Sequence, residues 1–165
     1  MITQSELQSL LHYNQDNGIF TWINPVRKTM VNAIAGTMSH EGYIVIKINK
    51  KIYRAHRLAW LYVYGEFPLS ILDHVNGIKN DNRISNLRNS TFQQNVFNRK
   101  NESINTSGHK GVHWETAREV WKAVIVIDNQ HIYLGRYKHK QEAINAYLTS
   151  AKKHHGEFYF GKIRT

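Results

Sequence analysis

The sequence predicts an α+β protein in two parts, and three observations support this. Short segments in which apolar and polar residues alternate, bounded by Gly, Asn or Asp, are typical of strands. Other segments have apolar residues at helical spacing and begin at a capping residue or end at a glycine, which indicates helices. A polar stretch rich in Asn and Ser at residues 101–108 separates the two parts, and we expect it to be a linker.

The first part, residues 1–100, is expected to begin with a helix and a strand. Thr3 and Glu6 have the spacing of a capping box, and leucines follow on one helical face. We expect this helix to end at the DNG sequence of residues 16–18, and IFTW at 19–22 to form a short strand. The segment GYIVIKINKKIYRAHRLAWLYVYG then predicts two strands around a turn at NKK, followed by a helix that ends at a glycine.

Residues 69–100 predict two strands joined by a loop and followed by a helix. The sequence ILDHVNGIKNDNRISNLR places Asp73 and His74 at the end of the first strand, before an NG turn. Thr91 can cap the helix, with a glutamine three residues later completing the box, so that Asn95 lies one turn into it. Carboxylate and amide oxygens suit Mg²⁺ or Mn²⁺. An imidazole has a pKa near neutrality, which suits proton transfer.

The second part, residues 109–165, predicts a small antiparallel sheet braced by a helix. The segments KGVHW, VWKAVIVID and QHIYLGRY read as three short strands, with a turn at DNQ before the third. The following KQEAINAYLTSAKKHHG has alanines and a tyrosine on one helical face and a glycine as its stop.

Composition narrows the classes of function. Lys and Arg number 22 against 12 acidic residues, a formal net charge of +10, which favours binding to phosphate backbones. Because there is no cysteine, disulfides, thiolate metal sites and cysteine nucleophiles are excluded. No apolar run approaches the roughly 20 residues of a membrane span, and the N-terminus lacks the order of a signal peptide. We therefore expect no membrane partner and a cytoplasmic location.

The segment around Asp73 resembles the HNH nuclease motif, whose fold is two antiparallel strands and a helix around one divalent metal. Phage and intron members with Asn at the third position typically have DH-x-N/D-G, DNR-x-x-NLR and QN in this order. This sequence has DHVNG, DNRISNLR and QN. The preceding YRAHRLAWLYVYGEFP is also typical of that group. The likeness is densest over about 30 residues of the core.

The resemblance implies a role for four residues. His74 would be the general base that takes a proton from the attacking water. Asp73 and Asn95 would hold one divalent ion, Mg²⁺ or Mn²⁺. Asn86 would support the catalytic group by tying the loop to the strands and orienting the histidine.

Three nearby residues allow more than one interpretation. Asn98, one turn beyond Asn95, is another candidate for the ligand or for a phosphate contact. His56 and Arg57 in the preceding helix either reach a phosphate near the site or serve as packing and surface residues.

Residues 107–158 are similar to the AP2 DNA-binding domain, through the landmarks KGVHW, WKAVI, IYLGRY, EAINAY and HGEF. In that family a three-stranded sheet lies in the major groove and a helix braces it from behind. Basic and aromatic strand residues then reach phosphates and base edges. Of Trp114 and Trp121, we expect one to be a core residue. The residues expected to contact DNA in either part are Arg57, Arg83, Arg88, Arg99, Lys110, His113, Trp114, Arg118, Trp121, Lys122, Tyr133 and Arg136.

Together these resemblances imply a metal-dependent DNA endonuclease of the homing type that leaves 5′-phosphate and 3′-hydroxyl ends. Its partner would be double-stranded DNA, without a small-molecule cofactor, in the cytoplasm of a phage-infected bacterium. One such site per chain favours nicking by a monomer, and a dimer that cuts both strands stays possible. The alternative is a non-catalytic, sequence-specific DNA-binding protein with a decayed nuclease core.

Overall fold

The computed structural model describes residues 1–25, 28–92, 94–95 and 107–158. The chain divides into two compact units, residues 1–95 and 96–165. In the ranges described, no helix is both long and apolar enough to span a bilayer. The predicted linker at 101–108 lies largely outside the described residues.

Unit 1 begins with helix α1, Gln4–Leu10, which has the predicted capping box. The amide of Thr3 donates to the Glu6 carboxylate at 2.9 Å, and the Glu6 amide donates to the Thr3 hydroxyl at 3.3 Å. The predicted end of this helix was wrong, because the chain leaves the helix after Leu10 and enters strand β1, Leu11–Asn14. The side chains of β1 alternate between core and solvent, with a period of two residues. Leu11 fits this strand pattern and also the helical spacing of the leucines before it, so the apolar pattern did not mark the end of the helix.

The expected short strand is present as β2, Ile19–Trp22, which pairs antiparallel with β1. A three-stranded antiparallel sheet follows, made of β3, Thr37–Met38, β4, Ile44–Ile48, and β5, Lys51–Arg54, with β4 in the middle. Strand β3 was not predicted. The β4–β5 turn has positive φ at Asn49 and Lys50, as a two-residue type I′ turn requires.

Helix α2, Ala55–Tyr64, starts directly after β5 and ends at Gly65 as predicted. Gly65 has φ +83°, and its amide donates to the Leu61 carbonyl at 2.9 Å. A side chain there would be strained, which explains why the helix stops at a glycine. The direct connection from β5 to α2 places the first turn of the helix next to the sheet.

The predicted order of strand, loop and strand is confirmed for the segment that follows, and the helix predicted after it lies largely outside the described residues. Strands β6, Ile71–His74, and β7, Leu87–Ser90, pair antiparallel. Thr91 then caps a helical turn. Its amide donates to the Gln94 side chain at 2.8 Å, and the Gln94 amide donates to the Thr91 hydroxyl at 3.2 Å.

The elements of unit 1 share one apolar core, to which α1, the β1–β2 hairpin, β4 and α2 contribute. Leu87 of β7 also belongs to this core, so the strand pair that carries Asp73 and His74 is anchored to the rest of the unit. The largest fully buried side chains of this core are those of Leu7, Leu11, Phe20, Ile46 and Leu58.

Unit 2 has the predicted three strands and helix. The strands are β8, Val112–Glu115, β9, Val120–Ile127, and β10, Gln130–Tyr137, in the order β10-β9-β8. Helix α3, Lys140–His155, packs on one face of this sheet. A specifically AP2-like arrangement stays a prediction. The core is formed chiefly by Val112, Ala123, Ile125, Ala143, Tyr147 and Ala151.

Candidate active site

Asp73 and His74 lie at the end of β6, and both side chains are buried. Asp73 faces Arg88 of β7 in the antiparallel register. The Arg88 Nε and Nη2 atoms both donate to Oδ2 of Asp73, at 3.0 and 2.8 Å. The Asp73 and Arg88 side chains are only 5% and 15% exposed, so this is a largely desolvated ion pair. The guanidinium of Arg88, which was predicted to contact DNA, thus binds the predicted metal ligand, and its contact with DNA stays a prediction.

His74 is surrounded by polar and aromatic side chains. Its ring lies 5.0 Å from that of His56 in an edge-to-face arrangement and 6.0 Å from the ring of Tyr43, centroid to centroid. Burial lowers the pKa of His74, and the Asn82 side chain and the charge of Asp73 oppose this effect. The net shift keeps the imidazole neutral near pH 7, as a proton acceptor must be.

Asn82 is a site residue that the sequence reasoning missed. Its side chain acts to raise the pKa of His74, and its main-chain carbonyl accepts a 2.6 Å bond from the hydroxyl of buried Tyr13. Gly18, at φ +73°, lets the β1–β2 turn approach the backbone of the same loop closely. A Cβ at this position would lie 2.4 Å from the Arg83 backbone nitrogen. The β1–β2 hairpin therefore supports the loop that touches His74, and a contact of such long range leaves no local signal.

Asn86 holds the loop between β6 and β7 in place. Its Nδ2 donates to the Asn76 side chain at 3.0 Å and to the Asp81 carbonyl at 2.8 Å, while its Oδ1 accepts from the Asn76 amide at 3.0 Å. The Asn76 side chain also donates to the Asp81 carboxylate at 2.6 Å. This network ties both ends of the loop together, as a supporting role for Asn86 requires. That Asn86 orients His74 stays a prediction.

The predicted metal ligands differ in how far the structure describes them. Asp73 is buried in β6, and Asn95 lies in the helical turn after β7, its amide donating to the Thr91 carbonyl at 3.0 Å. Among the described residues, no three His, Asp or Glu side chains come together as a metal site. The proposed pair, one carboxylate and one amide, has oxygen donors of the kind that Mg²⁺ and Mn²⁺ accept. Asn98 lies outside the described residues.

His56, left open between two roles by the sequence, lies against the site. It is 5% exposed, and its Nδ1 atom has no hydrogen-bond partner in the part of the chain that the structure describes. Burial, with smaller contributions from His74 and the neighbouring arginines, lowers the pKa of His56 to about 3. An unsatisfied buried nitrogen is costly, and in a native structure it calls for an explanation, of which a catalytic role is one.

We expect His56 to make the fold sensitive to acid. In the unfolded chain its pKa is near 6.5 and in the fold about 3, so between these values the unfolded state binds more protons. The free energy of unfolding should therefore fall as pH drops below about 6.5. At about 1.4 kcal/mol per pKa unit, the loss from His56 at pH 5 should be about 2 kcal/mol.

Urea unfolding at pH 7 and pH 5 measures this loss. His56→Phe should lose less stability than the wild type between the two pH values, because phenylalanine does not titrate. His40→Phe is the matched control, since His40 is an exposed histidine of the same unit. An equal loss in His56→Phe and the wild type would contradict the assignment.

The other arginines of unit 1 predicted to contact DNA have partners within the protein. Arg57 of α2 lies 5.7 Å from the Phe67 ring, which fits the packing interpretation. Arg83 donates from Nε and Nη2 to the two oxygens of Asp81, at 2.8 and 2.6 Å. Arg99 lies outside the described residues.

In unit 2, basic and tryptophan residues lie on opposite faces of the sheet. His113, Lys122 and Arg136 are cross-strand neighbours, so they form one row on the face opposite α3. Trp114 and Trp121 are each one residue away along their strands and share the other face. Trp121 packs against the core and Trp114 is 42% exposed, so one of the two is a core residue, as expected.

Glu115 neutralises part of the basic face. Its carboxylate accepts bonds from Arg136 Nε and Nη2, at 2.6 and 3.3 Å, and it also pairs with Arg118. These two arginines lower the pKa of Glu115 to about 2. The Arg136 guanidinium lies 5.4 Å from the ring of Tyr133 on the same face. Two of the predicted DNA contacts thus share one carboxylate.

Comparison with known proteins finds a similarity that lies almost entirely in unit 1. Residues 53–97 match the family model for HNH endonuclease. The chain is also 29% identical over 117 residues to Protein 3.8 of Escherichia phage T7, an alignment that covers 68% of this chain and 95% of the phage protein. No solved structure gives a significant match. The segment that carries Asp73, His74 and Asn86 is therefore similar to HNH endonucleases.

Proposed function

We propose that the protein is a metal-dependent DNA endonuclease of the homing type that hydrolyses a phosphodiester bond with His74 as general base. The observation that carries this proposal is the position of His74. It lies beside Asp73 at the end of β6, against Asn82 and His56, within the segment that matches the HNH endonuclease family.

In this mechanism His74 accepts the proton of the water that attacks the scissile phosphorus. Tyr43 and His56 pack against its ring and restrict its rotation, while the Asn82 side chain acts to raise its pKa. Such restraint keeps the base in a productive orientation and lowers the entropic cost of proton transfer. The products would carry 5′-phosphate and 3′-hydroxyl ends.

One divalent ion, Mg²⁺ or Mn²⁺, would be held by the carboxylate of Asp73 and the side-chain oxygen of Asn95. When bound, such an ion neutralises charge on the phosphate and stabilises the departing 3′ oxygen. The Arg88 guanidinium balances the charge of Asp73 and holds its Oδ2 in a fixed position. Because one neutral amide and one paired carboxylate supply little negative charge, we expect weak binding of the ion in the absence of DNA.

Incubation of the protein with supercoiled plasmid tests the proposal. We expect conversion to the open circular form with Mg²⁺ or Mn²⁺ and none with chelator. The products should be substrates for ligase without prior phosphorylation, since the ends would be 5′-phosphate and 3′-hydroxyl. Cleavage that persists in chelator would contradict the metal assignment. Binding of duplex with no cleavage under any metal condition would favour the non-catalytic DNA-binding protein instead.

Unit 2 would bind the DNA duplex with the face opposite α3, as an AP2-like module does. Trp114 and Trp121 lie on the other face, where Trp121 packs against the core, so the contacts on the face opposite α3 fall to His113, Lys122, Tyr133 and Arg136. Each phosphate contact adds about 0.9 to the slope of log affinity against log salt.

Lys122→Gln should therefore lower this slope by roughly one and weaken binding at low salt. The charge-matched control is Lys152→Gln, which removes an exposed lysine from α3 on the opposite side of the sheet. Binding of both variants and the wild type to one duplex over a salt series measures the effect. Equal slopes for the two variants would show that this face of the sheet does not contact the DNA phosphate backbone.

A further inference from the structure

The Tyr43 ring brings two cations close to the candidate active site. The guanidinium carbon of Arg54 lies 4.6 Å from the centre of this ring, and Nζ of Lys79 lies 5.3 Å from it. The same ring lies 6.0 Å from His74 and 5.4 Å from His56. The β4–β5 hairpin and the loop after β6 therefore meet beside the predicted general base, and neither cation was among the residues expected to contact DNA.

Glu41 supplies the only negative charge described in this cluster. Its carboxylate accepts a 2.8 Å bond from Nη2 of Arg54, and its main-chain carbonyl accepts a 3.1 Å bond from Nζ of Lys79. The Arg54 and Glu41 side chains are 47% and 46% exposed, and Lys79 is exposed. Two cations against one carboxylate leave a net charge of +1, open to solvent.

Stacking on an aromatic ring leaves these cations able to bind an anion. A guanidinium that lies over a ring keeps the N–H groups at its edge, and an ammonium has three donors. Glu41 occupies part of this capacity with an oxygen anion, as a phosphate would. The cluster therefore has the composition of a phosphate site that is partly filled by a carboxylate of the protein itself.

The distance to His74 suits a nucleic-acid backbone. Since Tyr43 is common to all the ring distances, neither cation is farther than about 11 Å from the His74 ring. One strand of a duplex carries one charge for about every 3.4 Å of helix axis. A strand with its scissile phosphate at His74 would thus place neighbouring phosphates within reach of Arg54 and Lys79.

We propose that Arg54 and Lys79, which both lie over the Tyr43 ring, form a binding site for the DNA phosphates that flank the scissile one, with the Glu41 carboxylate as the anion that Arg54 exchanges for phosphate. This inference rests on the proposed function, because it takes DNA as the ligand. Its readout is binding in the presence of chelator, where the proposed cleavage does not occur.

Lys79→Gln should lower the slope of log affinity against log salt by roughly one, as expected for one lost phosphate contact. Arg54→Gln combined with Lys79→Gln should lower it by about two. Lys28→Gln, a change of equal charge at another exposed lysine of unit 1, is the control and should leave the slope nearly unchanged. Lys79→Arg should retain the wild-type slope, since it keeps the cation.

Glu41→Gln gives a test in the opposite direction. Removing the competing carboxylate should tighten duplex binding about two- to fivefold at low salt, the scale of one exposed charge pair. Glu66→Gln changes the net charge equally at an exposed position and should have a smaller effect. A gain of affinity cannot result from damage to the fold.

Two results would overturn the proposal. One is the same slope for Lys79→Gln and Lys28→Gln, and the other is an equal gain for Glu41→Gln and Glu66→Gln. Either result would mean that duplex binding depends only on the total charge of the protein and not on the position of these residues. If the slopes differ as expected while the wild type cleaves no plasmid, the phosphate site stands and the proposed endonuclease activity fails.

Discussion

Replacing His74 with alanine is expected to lower DNA cleavage by at least about 10²-fold, the scale of a general base, while duplex binding is retained. The side chain is buried at the end of β6, beside Asp73 and against the ring of His56. Alanine leaves no group that could take the proton of the attacking water. Single-turnover cleavage of a saturating duplex measures the loss without interference from affinity.

Two controls separate chemistry from folding in this experiment. His40→Ala removes an exposed histidine of the same unit and should cleave normally. His74→Gln fills more of the buried space than alanine does and should be as inactive, because an amide does not accept a proton near neutral pH. Near-normal cleavage by either His74 variant would remove this residue from the proposed role.

Asp73→Ala is expected to lose both metal-dependent cleavage and stability. Asp73 holds the guanidinium of Arg88 through two bonds in a largely desolvated position. Removing one partner of such a pair costs about 3–5 kcal/mol, because the other charge is left uncompensated. The destabilisation should appear as a lower urea midpoint, and loss of activity in this variant alone would not identify a metal ligand.

The double variant Asp73→Ala/Arg88→Met separates the two roles. Methionine removes the uncompensated charge and is flexible enough to fill the space, so much of the lost stability should return. Cleavage should not return, because the carboxylate oxygen proposed for the metal is still absent. A stable double variant that cleaves DNA with Mg²⁺ would show that Asp73 has only a structural role.

Local structures that depend on residues close together in the chain, such as caps and turns, could be predicted well from the sequence. The capping boxes at Thr3 and Thr91, the Asn49–Lys50 turn and the stop at Gly65 all formed as expected. Each depends on backbone hydrogen bonds or φ preferences within a few residues. The same holds for Asp73 and His74 at a strand end, where the following NG turn signals the boundary.

Long-range packing determined what such local signals could not predict. The first helix ended early because β1 pairs with β2, and this pairing buries Leu11. Strand register placed Arg88 on Asp73, and the alternation of strand side chains separated the tryptophans of unit 2 from its basic row.

The surroundings of the general base also depended on packing between elements. Asn82, His56 and Tyr43 belong to a loop, a helix and the region before β4, and the shared core of unit 1 brings them to His74. The residues proposed to carry out the chemistry can be recognised from their spacing in the sequence, because they belong to one short supersecondary unit. The groups that orient them and balance their charge depend on which surfaces pack together, and one-dimensional spacing does not encode that choice.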